Sequence, residues 1–391
     1  MPSLPAALVR GLLTLATVAL PASAQQVPTI RLASPDLTVA HEFSAISGFL
    51  ELSDGRLLVS DGIEEALLRI DPKSGKVEPI SRTGGGPGEY KLPDQLFEQP
   101  AGGTLLVDLG NGRLSFYDAT LKYLSSMPIA RGDPAQGGMT VLMPQAVDRQ
   151  GRIYTQTALR GPTPTSGDSS VVVRFDRASG KTDTVARLAP PQMEVSQSGG
   201  ANNRSMRMMP IPLSPSDQWS AGADGRIAVV RASDYSLEWL GGGKPRVKGP
   251  ANRFTPVPIR EADKREYGQD MAGGLSIMMT NQNGQVSMSM RRGRPAGAES
   301  QMDAMLKEMK WPATKPAARG VVVAPTGEAW VERHVAAGAP REYDIFSPDA
   351  KLVRKVVLPA GRRLAGFGKS ALYLRAINED ELATLEQYRL P

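Results

Sequence analysis

The chain contains no cysteine. Disulfides, zinc–thiolate centres, iron–sulfur clusters and thiol nucleophiles are therefore excluded by composition. Histidine is nearly absent too, with only His41 and His334. A zinc site built on three imidazoles is thus excluded, and no Ser–His–Asp triad can be argued from two such residues. No G-x-S-x-G elbow occurs, and no G-x-x-x-x-G-K-(S/T) phosphate loop. Aromatic residues make up 5% of the chain, so a core must lean on Val, Leu, Ile and Ala. The apolar run Gly11–Leu20 spans ten residues, too few to cross a bilayer as a helix.

Turn residues, by contrast, are abundant, with 40 glycines and 32 prolines among 391 residues. The stretch Arg82–Asp118 shows how they are used: R-T-G-G-G-P-G-E-Y-K-L-P-D-Q-L-F-E-Q-P-A-G-G-T-L-L-V-D-L-G-N-G-R-L-S-F-Y-D. Glycine or Asn–Gly punctuates short β-branched and aromatic runs, the pattern of an antiparallel meander. One such sheet cannot bury its own faces, so repetition matters. The turn-plus-strand unit recurs at Asp54–Asp61, Gly102–Asp108, Gln150–Gln156, Asp224–Val230, Thr326–Glu332 and Gly368–Leu374. Its glycines Gly55, Gly103, Gly151, Gly225 and Gly327 are spaced 48, 48, 74 and 102 residues apart. The two long spacings leave room for insertions. A period in the forties predicts an all-β, six-bladed β-propeller of four-stranded blades. Thr29–Leu32 is expected to close the last blade by pairing with Leu382–Leu390, because each otherwise leaves an open edge.

Gly84–Pro93, Gly103–Asp108 and Gly110–Asp118 follow the pattern G-x-G-x-x-x-(F/Y)-x-x-P, G-x-(L/I)-x-V-x-D, G-N-x-R-(L/I)-x-x-(F/Y)-D. This resembles the NHL-repeat propellers. The bend G-G-G-P-G-E-Y is similar to that of secreted bacterial six-bladed propellers. The resemblance implies the fold and says little about chemistry. Zinc-dependent lyases of this group use several His ligands, which this chain lacks. Six-bladed lactonases hold a divalent cation such as calcium at the channel mouth, so that cofactor is the one the resemblance leaves open.

Three further features bear on function. Residues 1–24, with Arg10, the apolar run and Pro21-Ala22-Ser23-Ala24, read as a signal peptide cleaved near Ala24. The expected product is an exported periplasmic or extracellular monomer with one domain over 25–391, no membrane span and no nucleic-acid partner. The Pro190–Pro215 segment shows no clear period and reads as a long connection. An insertion over about 250–315, between blades four and five, carries a helical stretch and a hairpin around Asn281–Gly284. A second helix over Ser300–Lys310 follows, with Ser300 and Asp303 spaced as a capping box. Between Gly241 and Pro312 there are 12 basic and 7 acidic residues, and eight of the 16 methionines fall between Met271 and Met309. Thioethers bind copper(I), although methionines at helical spacing also make an adaptable apolar face.

Candidate ligand contacts are Arg291, Arg292 and Arg294, since guanidinium forks pair with carboxylates and phosphates. Arg82 and Glu89 are the polar members of the glycine-rich bend, which otherwise reads as a structural turn. Asp108, Asn111 and Arg113 read as a turn network. The expected function is non-catalytic binding or scaffolding of a protein or anionic ligand at a propeller face. The competing class is a divalent-cation-dependent hydrolase or lactonase at the channel mouth.

Overall fold

The computed structural model describes residues 27–131, 140–158, 170–198, 205–272, 275–282, 285–292 and 299–390. Residues 1–24, expected from the sequence to be a signal peptide, lie outside them, as does the stretch 159–169. Six sheets, each with four antiparallel strands and one of them with an added outer strand, follow one another along the chain as the blades of a propeller. Blade one is Ile46–Glu51, Leu57–Asp61, Ala66–Ile70 and Val77–Pro79; blade two runs from Pro93–Glu98 to Tyr123–Pro128. Blade three runs from Ala146–Val147 to Thr182–Leu188, and blade four from Gln218–Ala221 to Val247–Lys248. Blade five is Ala318–Val323, Ala329–Arg333, Glu342–Phe346 and Leu352–Val357. The first strands of neighbouring blades approach one another and surround the axis.

Both faces of each blade are buried, which explains the nearly continuous apolar runs. In blade one, Leu57 and Val59 pack with Ala371, Tyr373 and Leu385 of blade six, while Leu58 and Leu67 pack with Leu106 and Tyr117 of blade two. The same alternation continues around the ring until Trp330, Ile345 and Val356 of blade five meet Leu372, Leu374 and Tyr388 of blade six. The scarce aromatics are spent here: Trp239, Trp330, Tyr154, Tyr235 and Tyr373 are among the largest fully buried side chains. The turn glycines Gly55, Gly151, Gly225 and Gly327 have φ between 73° and 83°. Blade two differs, because a 3₁₀ turn at Pro100–Gly102 moves the positive φ from Gly103 to Gly102.

The last blade has only three C-terminal strands, Arg362–Phe367, Ala371–Ile377 and Ala383–Arg389. Its fourth strand comes from the N-terminal side, as expected, but not from Thr29–Leu32. Leu37–Thr38 pairs antiparallel with Gln387 and Glu386, and Phe43 bridges Ala383. Val39 and Phe43, each 1% exposed, anchor this segment in the core shared by blades six and one. Thr29–Arg31 instead lies parallel to Lys355–Val357 as a fifth, outer strand of blade five. The closing strand was hidden because its regular part is two residues long and its hold comes from Val39 and Phe43 beyond it.

The Pro190–Pro215 connection is also more regular than its sequence indicated. Met193–Ser198 and Ser205–Pro210 form an antiparallel hairpin. The insertion before blade five contains helix α1 (Glu261–Ala272), the predicted hairpin Leu275–Gln282 with Gln285–Arg292, and helix α2 (Glu299–Glu308). Ser300 falls inside the first turn of α2 rather than capping it. Val257–Pro258 pairs with Thr314–Lys315 and pins the neck of the insertion.

Two expectations follow. Phe43→Ala should cost about 3–5 kcal/mol, the usual loss for a buried ring. Truncation through Ser34, which removes only the outer strand of blade five, should cost less. Denaturant midpoints check the order, and a larger loss from the truncation would place closure elsewhere. In the bend, Gly88 has φ of 77° and a Cβ there would press on Tyr123 at 3.2 Å, whereas a Cβ on Gly85 meets only Asn111 at 3.6 Å. Gly88→Ala should therefore cost more than about 1 kcal/mol and Gly85→Ala less, by the same measurement.

Candidate functional site

A cleft of about 480 Å³ lies between α1, the Pro210–Ser216 segment, and blades four and five. Its position follows from the way α1 is docked. The acids Asp263, Glu266 and Asp270 recur at i, i+3 and i+7, so they share one face of the helix. That face meets cations of the ring. Lys315 lies 2.7 Å from Asp263, and Glu266 pairs with Arg341. Asp270 accepts from Arg319 and from Arg363, the latter at 2.8 Å. Arg319 and Arg363 stand on the innermost strands of blades five and six, so α1 lies beside the axis. The basic insertion therefore turns its acidic face inward.

Asp263 shows how tightly this docking is built. It is 3% exposed, and its Oδ2 accepts the Arg260 N–H at the start of α1. Its Oδ1 accepts from the Ala337 N–H and the Lys315 ammonium. Burial opposes its ionisation, but Lys315 and the two backbone donors outweigh burial and lower its pKa. Asp270 is lowered in the same way, with burial outweighed by Arg363 and Arg319. Behind α1, Gly268 leaves room for Leu306 of α2, and Tyr267 meets Trp311 edge-on at 5.4 Å.

His334 is the unusual group in the cleft wall. It is 7% exposed, and its Nδ1 has no hydrogen-bond partner. Burial, then Arg319 and Lys315, push its pKa down to about 3, so the imidazole is neutral at physiological pH. Pro212, Leu213, Tyr267 and Met271 give the cleft an apolar wall, and Ser216 and Gln218 give it hydroxyl and amide groups. Among the described residues, no three His, Asp or Glu side chains are grouped so as to hold a metal ion. None of their helices is long and apolar enough to cross a membrane.

The residues singled out from sequence lie elsewhere. Arg82 and Glu89 pair with each other at 2.7 Å, and Glu89 also accepts the Gly86 N–H at 2.8 Å. These contacts lie within the bend, and the Arg82 side chain is otherwise exposed. Asp108 accepts from the Lys91 N–H, Asn111 and Arg113, and Arg113 also donates to Gly86 and Glu89 carbonyls. This is the expected turn network. Arg292 is paired with Leu275 and Arg291 with Ser276, at the hairpin base that follows α1. Arg294 lies outside the described residues. The cleft itself was missed: the i, i+3, i+7 acids were a visible signal, but their partners come from remote blades.

No protein-family model matches this sequence, and neither does any curated protein sequence. Solved structures match at low identity. A Bacteroides fragilis protein provisionally named an exported protein is 12% identical over 93% of this chain and 99% of its own, with a TM-score of 0.45. A gluconolactonase from Xanthomonas campestris is 12% identical, covering 90% of this chain and 89% of that one, with a TM-score of 0.39. The calcium-binding protein regucalcin from Agrobacterium tumefaciens is 11% identical over 93% and 97%, also at 0.39. At such identities the likeness concerns fold alone. The chain's own sheet topology makes it a six-bladed β-propeller.

The state of His334 has a measurable consequence. Between its ordinary value of 6.5 and about 3, the unfolded chain holds a proton that the folded chain does not. Its contribution is thus fully present above pH 6.5 and is lost as pH falls toward 3. His334→Gln should lose thermal stability less steeply than the parent on acidification through this window. Parallel melting curves would show that His334 is not held neutral.

Proposed function

We propose that this chain is an exported, non-catalytic binding propeller. It takes a small acidic ligand, or an acidic segment of a partner protein, at the cleft beside α1. One observation carries the reading. The three cleft carboxylates are committed to ion pairs with Lys315, Arg341, Arg319 and Arg363, while the buried His334 keeps an unpartnered Nδ1. Groups already neutralised in this way are poor general bases and poor metal ligands. His334 lines the cleft, and its neutral imidazole is suited to bond a ligand once a side-chain rotation brings the buried Nδ1 to the cleft surface. The volume falls within the range of about 300–1,000 Å³ usual for small-molecule sites.

The pairs under α1 balance one another, so preference for an anion rests on Arg291, Arg292 and Arg294. Their hairpin begins three residues after α1, whose Asp270 and Met271 line the cleft. Export rests on the signal-peptide pattern of residues 1–24. A calcium-supported lactonase is the competing class, and the test separates the two. Binding of oligoglutamate and of a small dicarboxylate is measured across a salt series, for the parent, for His334→Leu and for the triple Arg→Gln variant. Expected are weaker binding in both variants and a shallower salt dependence in the triple variant. Identical curves for all three proteins would remove this surface, and calcium-dependent hydrolysis of a lactone would replace the binding role with catalysis.

A further inference from the structure

A second cavity, of about 180 Å³, lies between α2 and the Met193–Pro210 hairpin. Met209, Met305 and Met309 line it, together with Glu194, Glu308 and Lys310. Met305 and Met309 are one helical turn apart. The Met309 N–H donates to the Met305 carbonyl at 3.1 Å, so the turn continues past the last assigned residue of α2. Met209 sits directly opposite Glu194 in the hairpin, and paired residues of two strands project to the same side. Three thioethers from two segments about a hundred residues apart in sequence are therefore brought to one space.

Packing alone does not account for them. Leu306, 7% exposed, provides the contact of α2 with α1, through Gly268. Met305, Met309 and Met209 are only half-buried. Methionine is the side chain best able to collapse into an irregular gap, yet here a gap remains between three of them. Thioether sulfur is a soft, neutral donor that selects copper(I) and its analogue silver(I) over hard cations. Glu194 and Glu308 at the rim offset the charge of a bound cation, and the exposed Lys310 is the one cationic residue among the lining groups.

We propose that Met209, Met305 and Met309 form a three-thioether site for a soft monovalent metal ion of the copper(I) class. The site is separate from the acidic-ligand cleft and does not depend on it, although Pro210 and Pro212 border both cavities. Thioethers carry no proton near neutrality, so affinity should hold across the pH range in which cysteine and histidine sites weaken.

The test titrates the full exported chain with silver(I) in chloride-free buffer, silver being the redox-inert probe. One ion should bind with affinity reduced at least about tenfold in Met209→Leu/Met305→Leu/Met309→Leu. Leucine conserves the volume, and circular dichroism checks the fold. Met127→Leu/Met193→Leu should bind as the parent does. Methyl-labelled methionine spectra give a readout that needs no variant: silver should shift the Met209, Met305 and Met309 resonances. Absence of silver binding, equal binding by the triple variant, or shifts confined to other methionines would each overturn the site.

Discussion

A ring whose blades bury both faces has no exterior sheet to fall back on, and its integrity is concentrated at one seam. Here that seam is the contact of Leu37–Phe43 with Ala383–Arg389. Only a few backbone hydrogen bonds join the two segments. The side chains of Val39 and Phe43 do most of the holding, wedged among Leu57, Tyr373 and Leu385. Burial of two such groups is worth roughly 1.5–3 kcal/mol each, a large share of the net stability of any domain. If the seam opens, two blades expose apolar faces together, and cooperative loss of the ring follows. Placing the N- and C-terminal segments in one sheet makes the whole intervening chain answerable to that contact.

The second layer of organisation is electrostatic. Arg319, Arg341 and Arg363 belong to blades five and six, where Glu332 offsets part of their charge, and Lys315 stands at the neck of the insertion. Helix α1 supplies Asp263, Glu266 and Asp270 at the spacing that one helical face allows. Exposed pairs of this kind contribute little, but Lys315 and Asp263 are both almost fully buried, at 5% and 3% exposed. Such a pair is costly to form from water and costly to break by removing one partner. It fixes where α1 sits more than it adds stability. The cleft, with His334 in its wall, is a by-product of that fixed placement.

Much of the ring was legible because most blades repeat one local event, a turn glycine, one charged residue and then two to four apolar residues of a strand. Gly55, Gly151, Gly225 and Gly327 carry that signal, and even the shift from Gly103 to Gly102 leaves the strand Thr104–Asp108 in place. The closing strand was misassigned because Thr29–Leu32 has the better strand pattern, while Leu37–Thr38 depends on side chains beyond its own span. The hairpin Met193–Pro210 escaped because a polar, glycine-bearing stretch of sequence separates its two runs. The cleft escaped for a different reason. Asp263 and Lys315, or Asp270 and Arg363, are joined only by the three-dimensional path of the chain, and no local spacing encodes that meeting.

The docking of α1 has one more consequence. The cations that would greet an acidic visitor at the axis are already occupied by a helix tethered to the same chain. A covalent tether presents its charges at an effective concentration in the millimolar range or above, which a freely diffusing competitor rarely matches. The insertion therefore behaves as a resident counter-ligand for the ring. An acidic ligand reaching the axis would have to displace these carboxylates, and the open space lies off-centre, beside the helix.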